Sequence, residues 1–325
     1  MSFLALLRDD IRLGLSKTPT EFRTRHARWL CGLQTAGGGF ANRRGEADLY
    51  YTAFALRSLS SLDALTADIA GKARVYLAGL IQQSSQSQTR QPKGAFCDAV
   101  MAASWWDSLA LCEEIIAGGT GGQATSGTPE LDLDGARRRT ERRLDALRRD
   151  DGGWAKTDSD ACGSLYHTFL AACAYMRMGV ELPAADSARK LLRSLAQPGG
   201  GFLENRYSKR PGTNGCAAAV ALSVMLEDPI EIDPHAAYVA GMFSGEGGFF
   251  ATPAAPIADL LSTYTGLLTL KMLGKQEDRF VAGALRYARG LEHADGGYAG
   301  FALEQVRDAE YAFYGLGVES IGALV

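Results

Sequence analysis

The stretch GGFANRRGEADLYYTAFAL, residues 38–56, joins a Gly-Gly-aromatic turn to a short polar loop and then to a run of small and apolar residues. Copies of the turn stand at residues 38–40, 94–96, 152–154, 200–202, 247–249 and 296–298. Successive copies are 56, 58, 48, 47 and 49 residues apart, counted on the second position of each. A period near 50 residues predicts an array of similar units, because one supersecondary unit is repeated along the chain.

Each unit contains two helical segments of different character. Residues 69–83 (IAGKARVYLAGLIQQ) precede a turn and carry apolar residues at helical spacing, which predicts an amphipathic helix. Residues 216–222 (CAAAVAL) follow a turn and are apolar on every side, so this helix must be buried on every side. Two concentric rings satisfy both demands, with the glycines supplying positive backbone dihedrals at the turns.

The sequence therefore predicts an all-α toroid, an (α/α)6 ring of six helical hairpins around a central cavity. We expect a single domain over residues 1–325, with an N-terminal amphipathic helix in residues 1–20. A polar insertion at about residues 118–134, rich in Gly, Ser and Thr, is predicted to be a mobile surface loop.

Composition excludes several classes of function. The net charge of -3 and the pI near 5.9 give no basic field for nucleic acid. No run of 18 apolar residues occurs, so no transmembrane segment is expected. Six scattered cysteines without a CxxC pair indicate reduced thiols and a cytoplasmic location.

The repeat resembles the α/α toroid of protein prenyltransferase β subunits and of squalene and oxidosqualene cyclases. The resemblance rests on Gly-Gly-aromatic loops followed by Asp-x-x-Tyr/His-Thr, as in residues 45–56 (GEADLYYTAFAL) and residues 164–170 (SLYHTFL). It covers about residues 25–325 and is specific for the fold, but much less specific for the activity.

In such a ring, the first residues of the inner helices point to the mouth of the cavity. A register without gaps gives a first rim position and a second one three residues later. The first is Asp48, Val100, Ser164, Thr213, Asp259 and Asp308, and the second is Tyr51, Ala103, His167, Cys216, Ser262 and Tyr311.

The zinc site that the resemblance implies is incomplete. Prenyltransferases place Asp-x-Cys in one unit and His in the next, whereas this chain has TNGC at residues 213–216 and Ser262 at the His position. A catalytic zinc keeps three protein ligands, so Zn²⁺ is not expected. His167, in a Tyr-His-Thr phrase, is a candidate catalytic residue, and the alternative is that it makes a local hydrogen bond or lines the cavity.

The acidic motif of the cyclases, Asp-x-Asp-Asp-Thr-Ala, is also missing. The matching residues 211–217 read PGTNGCA and carry none of the three acids. Asp132 and Asp134 precede a charged helix at residues 137–149, where they are predicted to act as N-terminal helix charges.

A diphosphate site is the feature of the prenyltransferases that the sequence retains. Arg206 and Lys209 match the Arg-x-x-Lys that the resemblance assigns to isoprenoid diphosphate binding. A guanidinium fork and an ammonium suit this ligand, although short basic clusters are more often solvated loops.

Three carboxylates, Asp48, Asp259 and Asp308, belong to units that become neighbours when the ring closes. They could bind Mg²⁺ or hold one acid protonated for proton transfer, which makes them candidate catalytic residues. The alternative is that each one caps its own helix.

Aromatic side chains are expected to line the cavity and bind the substrate, which would be a prenyl diphosphate or another isoprenoid. The candidates for substrate contact are Tyr51, Trp105, Tyr166 and Tyr311. The main hypothesis is an isoprenoid-handling enzyme of the terpene cyclase or prenyltransferase type that lacks the usual zinc. The alternative is a lipid-binding or scaffold toroid, with a helical protein partner as in the family's heterodimers.

Overall fold

The computed structural model describes residues 3–86, 94–118 and 131–325. Within them the helices, in chain order, are α1 (Phe3–Leu15), α2 (Thr20–Cys31), α3 (Leu49–Ser61), α4 (Ala67–Gln86), α5 (Ala99–Gly118), α6 (Leu133–Ala146), α7 (Leu165–Met178), α8 (Ala185–Leu195), α9 (Thr213–Met225), α10 (Ile232–Ala240), α11 (Leu260–Met272), α12 (Asp278–Gly290) and α13 (Ala309–Gly322). A 3₁₀ turn covers Gly94–Phe96. Two short strands, β1 (Tyr298–Ala299) and β2 (Arg307–Asp308), pair antiparallel.

The odd-numbered helices from α3 to α13 form the inner ring. Each packs against the next, and α13 packs against α3, so the ring is closed. The even-numbered helices lie outside, each before its own inner helix in the chain. The predicted all-α toroid of six helical hairpins is confirmed.

Burial explains which helix goes where. On α12 the side chains of Phe280, Val281 and Ala284 are buried, whereas Arg279 is exposed, as expected for an amphipathic outer helix. On α9 the run from Cys216 to Ser223 is buried without interruption. An inner helix contacts two neighbours, its own outer helix and the central cavity, so most of its residues are small or apolar and some charged ones are held in ion pairs, as Arg57 is with Asp107.

In every turn except the second, the first glycine allows an outer helix to approach closely. Gly247 has φ +97°, and a Cβ built on it would lie 2.6 Å from the carbonyl oxygen of Gly283 on α12. Gly296 has φ +104°, and its Cβ would lie 2.9 Å from the carbonyl oxygen of Arg25 on α2. Both positions require glycine for conformation and for space. The second contact joins the last turn to the first outer helix and so closes the outer ring.

A threonine ties the turn to the inner helix. The hydroxyl of Thr52 donates to the carbonyl oxygen of Asp48 at 2.6 Å and accepts from the N–H of Phe40 at 2.8 Å. Phe40 itself is completely buried between the rings. The same pair of bonds recurs in two other units, at Thr168 with Ser164 and Trp154, and at Thr263 with Asp259 and Phe249.

The N-terminal helix closes one end of the ring. In α1, Asp10 pairs with Lys271 at 2.9 Å, and Arg8 pairs with Glu114 at 3.2 Å. Gly14 lies directly against the backbone of Ser320 near the end of α13. These partners lie near the carboxyl ends of inner helices, so α1 forms a floor opposite the Gly-Gly-aromatic turns. In this structure the N-terminal helix covers Phe3–Leu15.

The predicted insertion at about residues 118–134 lies largely outside the described residues, and its mobility stays a prediction. Its last residues belong to α6, whose cap is Asp132, accepting from the N–H of Gly135 at 2.8 Å. Asp134 lies in the first turn of that helix, as predicted for an N-terminal helix charge.

All six cysteines are free thiols. In the described parts of the chain, no helix combines the length and the apolar character needed to cross a membrane.

Candidate functional site

The predicted rim carboxylates cap their own helices. Asp48 accepts from the N–H of Tyr50 at 2.8 Å, Asp259 from Ser262 at 2.7 Å and Asp308 from Tyr311 at 2.9 Å. Asp98 caps α5 in the same way. Each carboxylate thus satisfies an amide that the helix itself leaves unpaired.

These caps correct the register used to align the units. In the second unit the cap is Asp98 rather than Val100, and in the fourth it is Gly212 rather than Thr213. The gap-free alignment was wrong in the second unit because the loop after the aromatic residue is much shorter there, and in the fourth unit it placed the cap one residue too late. The true third positions after the cap are Tyr51, Met101, His167, Gly215, Ser262 and Tyr311.

A zinc ion does not fit this rim. Cys216 lies four residues after its cap, where Thr52 stands in the first unit, and it is completely buried. Burial raises the pKa of its thiol to about 12, which disfavours the thiolate that a metal requires. Throughout the described ranges, no three His, Cys, Asp or Glu side chains gather as a metal site requires, the three predicted Mg²⁺ ligands included.

Asp308 forms an ion pair with Arg43 in addition to capping its own helix. It accepts from Arg43 Nε at 2.7 Å, and the same guanidinium reaches Glu304 at 2.6 Å. Arg43 also lies over the ring of Tyr311, 5.5 Å from its centroid. This cluster belongs to the rim, and neither Asp308 nor Tyr311 lines the cavity.

Asp259 and His167 are held locally. The Ser262 hydroxyl donates to Asp259 at 2.8 Å, and burial raises the pKa of this carboxyl. His167 Nδ1 lies 2.7 Å from the Ser164 hydroxyl oxygen, and burial lowers the pKa of the imidazole. Neither side chain lines the cavity. The contacts of His167 therefore agree with the alternative of a local hydrogen bond.

A central cavity of about 410 Å³ lies inside the ring. With the corrected register, its inner-helix residues stand two, five, six, nine or thirteen positions after the caps. Phe3, Leu4 and Leu7 of α1 supply the floor. The aromatic side chains of the inner helices that line it are Tyr50, Phe54, Tyr166, Phe169, Tyr264, Phe313 and Tyr314. The ring is therefore not plugged, and its lining is predominantly apolar.

Of the four aromatic residues predicted for substrate contact, only Tyr166 lines this cavity. Trp105 is completely buried and donates its indole N–H to the carbonyl oxygen of Leu77 at 2.9 Å, so it faces the outer helix α4. Tyr51 and Tyr311, three residues after their caps, lie at the rim. Counting from the capping residue would have separated these positions, because the helical period fixes which side chains point inward.

The predicted diphosphate pair lies outside the cavity. Arg206 and Lys209 are both exposed. Arg206 donates to the carbonyl oxygen of Ala161 at 3.1 Å and lies over the ring of Tyr207, 5.0 Å from its centroid. In the same loop it is Glu204 that reaches the cavity.

Two acids that are not among the predicted site residues do face the cavity. Glu310 accepts from the Tyr50 hydroxyl at 2.8 Å, and burial raises the pKa of its carboxyl. Glu204 accepts from the N–H of Tyr166 at 3.1 Å, and burial raises its pKa as well. Desolvation thus favours the neutral form of both acids beside an aromatic wall.

One arginine also lines the cavity. Arg57, on α3, donates from Nε to Asp107 on α5 at 2.8 Å. Asp107 also lies 3.7 Å from Arg177, which pairs with Glu114.

Comparison with known proteins agrees with the architecture. The family model described as the prenyltransferase alpha-alpha toroid domain matches residues 4–104 and 127–322. The chain matches none of the curated proteins significantly. Among solved structures, a protein from Actinoplanes is 14% identical with a TM-score of 0.56, over 94% of this chain and 99% of that one.

Two further structures are more distant. Candida albicans protein geranylgeranyltransferase-I complexed with GGPP is 13% identical with a TM-score of 0.41, over 97% of this chain and 82% of that one. A glycosidase variant in complex with glucose is 14% identical with a TM-score of 0.47, over 98% and 96%. The likeness to the Actinoplanes protein, at a TM-score of 0.56, shows the fold alone and leaves function to the site.

Proposed function

Because the chain belongs to the prenyltransferase α/α toroid family, we propose that it is an isoprenoid-handling enzyme that holds a prenyl chain in its central cavity. The observation that carries the proposal is the cavity itself, with its aromatic wall and the apolar floor of α1. Its volume of about 410 Å³ falls within the roughly 300–1,000 Å³ of typical small-molecule sites. A hydrocarbon chain bound there would be removed from water, which is the main source of its binding energy.

The aromatic wall also suits a reaction through a carbocation. Rings such as Phe54, Tyr264 and Phe313 present π-electron density that stabilises a nearby positive charge. This chemistry needs neither the zinc site nor the thiolate that the rim lacks, and it agrees with the terpene cyclase side of the family resemblance.

Glu310 is our candidate for the acid. Its neutral carboxyl would donate a proton to one carbon of an isoprenoid double bond, whose π electrons form the new C–H bond and leave the other carbon cationic. A second double bond can close a ring on that cation, and loss of a proton from a neighbouring carbon to the carboxylate restores the acid. The product is then an isomer of the substrate, and burial of Glu310 supports the role.

The proposal does not depend on the predicted rim residues. A diphosphate held by the exposed Arg206 and Lys209 would lie outside the cavity, and the capping carboxylates Asp48, Asp259 and Asp308 already have local partners. Their predicted roles in binding and proton transfer, and that of a helical protein partner, stay predictions.

The test is binding and turnover of C15 and C20 prenyl diphosphates and the corresponding alcohols, with and without Mg²⁺ or Zn²⁺. We expect binding by calorimetry and an isomeric product by mass spectrometry. Ala218→Phe fills the cavity and should weaken binding at least about 10-fold, whereas Val224→Phe, on the exposed side of the same helix, should not.

The alternative function is a lipid carrier. A carrier needs no catalytic group in the cavity. This agrees with the predicted catalytic residues, since none of them lines the cavity: Asp48, Asp259, Asp308 and His167. Binding that Ala218→Phe weakens, without any product, would support the carrier. No binding of any isoprenoid would refute both functions.

A further inference from the structure

We propose that the natural ligand carries an anionic oxygen group, a carboxylate or a phosphate, and that Arg57 binds this group inside the cavity. The inference rests on the proposed function for the hydrocarbon part of the ligand. It differs from the sequence-based hypothesis in the place of the anion, which is the cavity wall rather than the exposed loop of Arg206 and Lys209.

The depth of Arg57 separates it from the rim. It lies nine residues after the cap Asp48, and with a rise of about 1.5 Å per residue this is roughly 13 Å along the helix. The two cavity acids lie nearer the mouth of the cavity. Glu310 is only two residues after its cap Asp308. Glu204 accepts from the N–H of Tyr166, which is two residues after the cap Ser164. The backbone of Arg57 therefore lies about 10 Å deeper along the helix axis than the backbone of Glu310 and Tyr166.

The guanidinium of Arg57 is only partly satisfied. Among the described residues, its single hydrogen bond runs from Nε to Asp107, which leaves both Nη groups without an acceptor. The side chain is 16% exposed, and it lines the cavity. The ring centroid of Phe54 lies 5.6 Å from the guanidinium carbon. Four N–H donors without an acceptor next to an apolar wall are costly unless a ligand or water accepts from them.

The ion-pair network behind Arg57 is balanced in charge. Asp107 is shared between Arg57 and Arg177, Glu114 is shared between Arg177 and Arg8, and Arg8 also pairs with Asp9 at 3.2 Å. Three arginines thus face three carboxylates, and Arg57 enters the network through Nε alone, so its Nη hydrogens face the ligand. The Glu204 and Glu310 carboxyls in the same cavity have raised pKa values through burial, so they repel a bound anion less than ordinary carboxylates would.

The chemistry of the site defines the ligand. A guanidinium with two free Nη groups matches the paired oxygens of a carboxylate or phosphate. The cavity wall is predominantly apolar, with Leu170, Ala221 and Leu268 among its residues, and suits hydrocarbon. The ligand is therefore amphipathic, with its anionic group bound part of the way down the cavity and its apolar chain packed around it.

A matched series of C15 ligands tests this inference: the neutral alcohol farnesol, the carboxylate farnesoic acid and farnesyl diphosphate. We expect the wild-type protein to bind at least one anion about 10-fold or more tightly than the alcohol. Arg57→Met keeps most of the apolar stem and should remove this preference while leaving alcohol binding nearly unchanged. The preferred anion identifies the headgroup as carboxylate or phosphate.

Two further variants serve as controls. One controls for misfolding, and the other tests whether Arg206 and Lys209 bind the anion instead. Arg57→Met leaves Asp107 without its partner, so the double variant Arg57→Met/Asp107→Asn removes both charges and should show the same loss of preference. Arg206→Met/Lys209→Met changes only the exposed loop and should retain the preference.

The outcomes separate the two proposals. Equal affinity of the wild-type protein for all three ligands, or an anion preference that survives the loss of Arg57, overturns the role of Arg57 and leaves the proposed function intact. Loss of the preference in Arg206→Met/Lys209→Met also overturns it. Binding of none of the three ligands overturns both proposals.

Discussion

The closeness of the outer helices to the turns can be tested with two glycines of similar conformation. Gly247 has φ +97°, and its substitution by Ala would place a Cβ 2.6 Å from the Gly283 carbonyl oxygen. Gly45 has φ +84°, but a Cβ there would meet no atom within 4 Å. The two substitutions share the backbone strain and differ in the overlap.

The expected magnitudes follow from these two terms. A side chain in the left-handed region costs about 1–2 kcal/mol, and the lower entropy of the unfolded Ala chain offsets about 0.4–1 kcal/mol of it. Gly45→Ala should therefore destabilise the protein by at most about 1.5 kcal/mol. Overlap with a rigid backbone adds about 1–3 kcal/mol, so Gly247→Ala should cost about 2–4 kcal/mol.

Urea unfolding followed by circular dichroism measures both variants against the wild-type protein, with thermal melting as a second reading. At roughly 2 °C per kcal/mol for a large domain, Gly247→Ala should lower the Tm by about 4–8 °C. If the two variants lose the same stability, α12 does not lie against the turn, and the explanation given for the repeated glycines is wrong.

Other predictions concern the hydrogen bonds of Thr52, the floor formed by α1, and the cavity acid Glu310. Thr52→Val leaves the N–H of Phe40 without an acceptor and should lower the free energy of unfolding by about 1–3 kcal/mol in urea, whereas Thr52→Ser should recover part of it. Gly14→Val collides with Ser320 and should detach α1, seen as faster hydrogen exchange in residues 3–15 and weaker ligand binding; unchanged exchange there would contradict the floor. Burial raises the pKa of Glu310 above its unfolded value, so its contribution to stability is present below the unfolded pKa and is lost as pH rises through the folded pKa. The wild-type protein should therefore lose stability relative to Glu310→Gln as pH rises from about 4 towards neutrality, and a pH-independent difference would argue against a buried, neutral acid.

The repeated turns made the fold predictable. Gly247 and Gly296 are needed for local conformation, Phe40 and Thr52 for contacts within their own unit, and these requirements are written in consecutive residues. The rings followed from the apolar character of each helix, since a segment such as residues 216–222 has no side that can face water. The capping role of Asp48 was already among the alternatives, because a helix cap depends only on neighbouring residues.

The cavity was less predictable, because it depends on the first residue of each inner helix. One extra residue rotates every later side chain by about 100° about the helix axis. Assigning the cap of the fourth unit to Thr213 rather than Gly212 therefore placed Cys216 at the rim. In the second unit, Trp105 was assigned to the cavity although it faces α4. Glu204 and Glu310 were not among the predicted site residues, because adjacent residues in a polar loop or in a first helical turn point in different directions.

The sequence by itself determined the toroid, its six units and the absence of the zinc motif, since each of these depends on residues within one repeat. Only the tertiary structure decided what faces the cavity: α1 as its floor, Glu204 and Glu310 near its mouth, and Arg57 in its wall with both Nη groups free of described partners. These side chains come from segments up to about 300 residues apart. Their meeting depends on ring closure and on the rotation of each helix about its own axis, which no single repeat specifies.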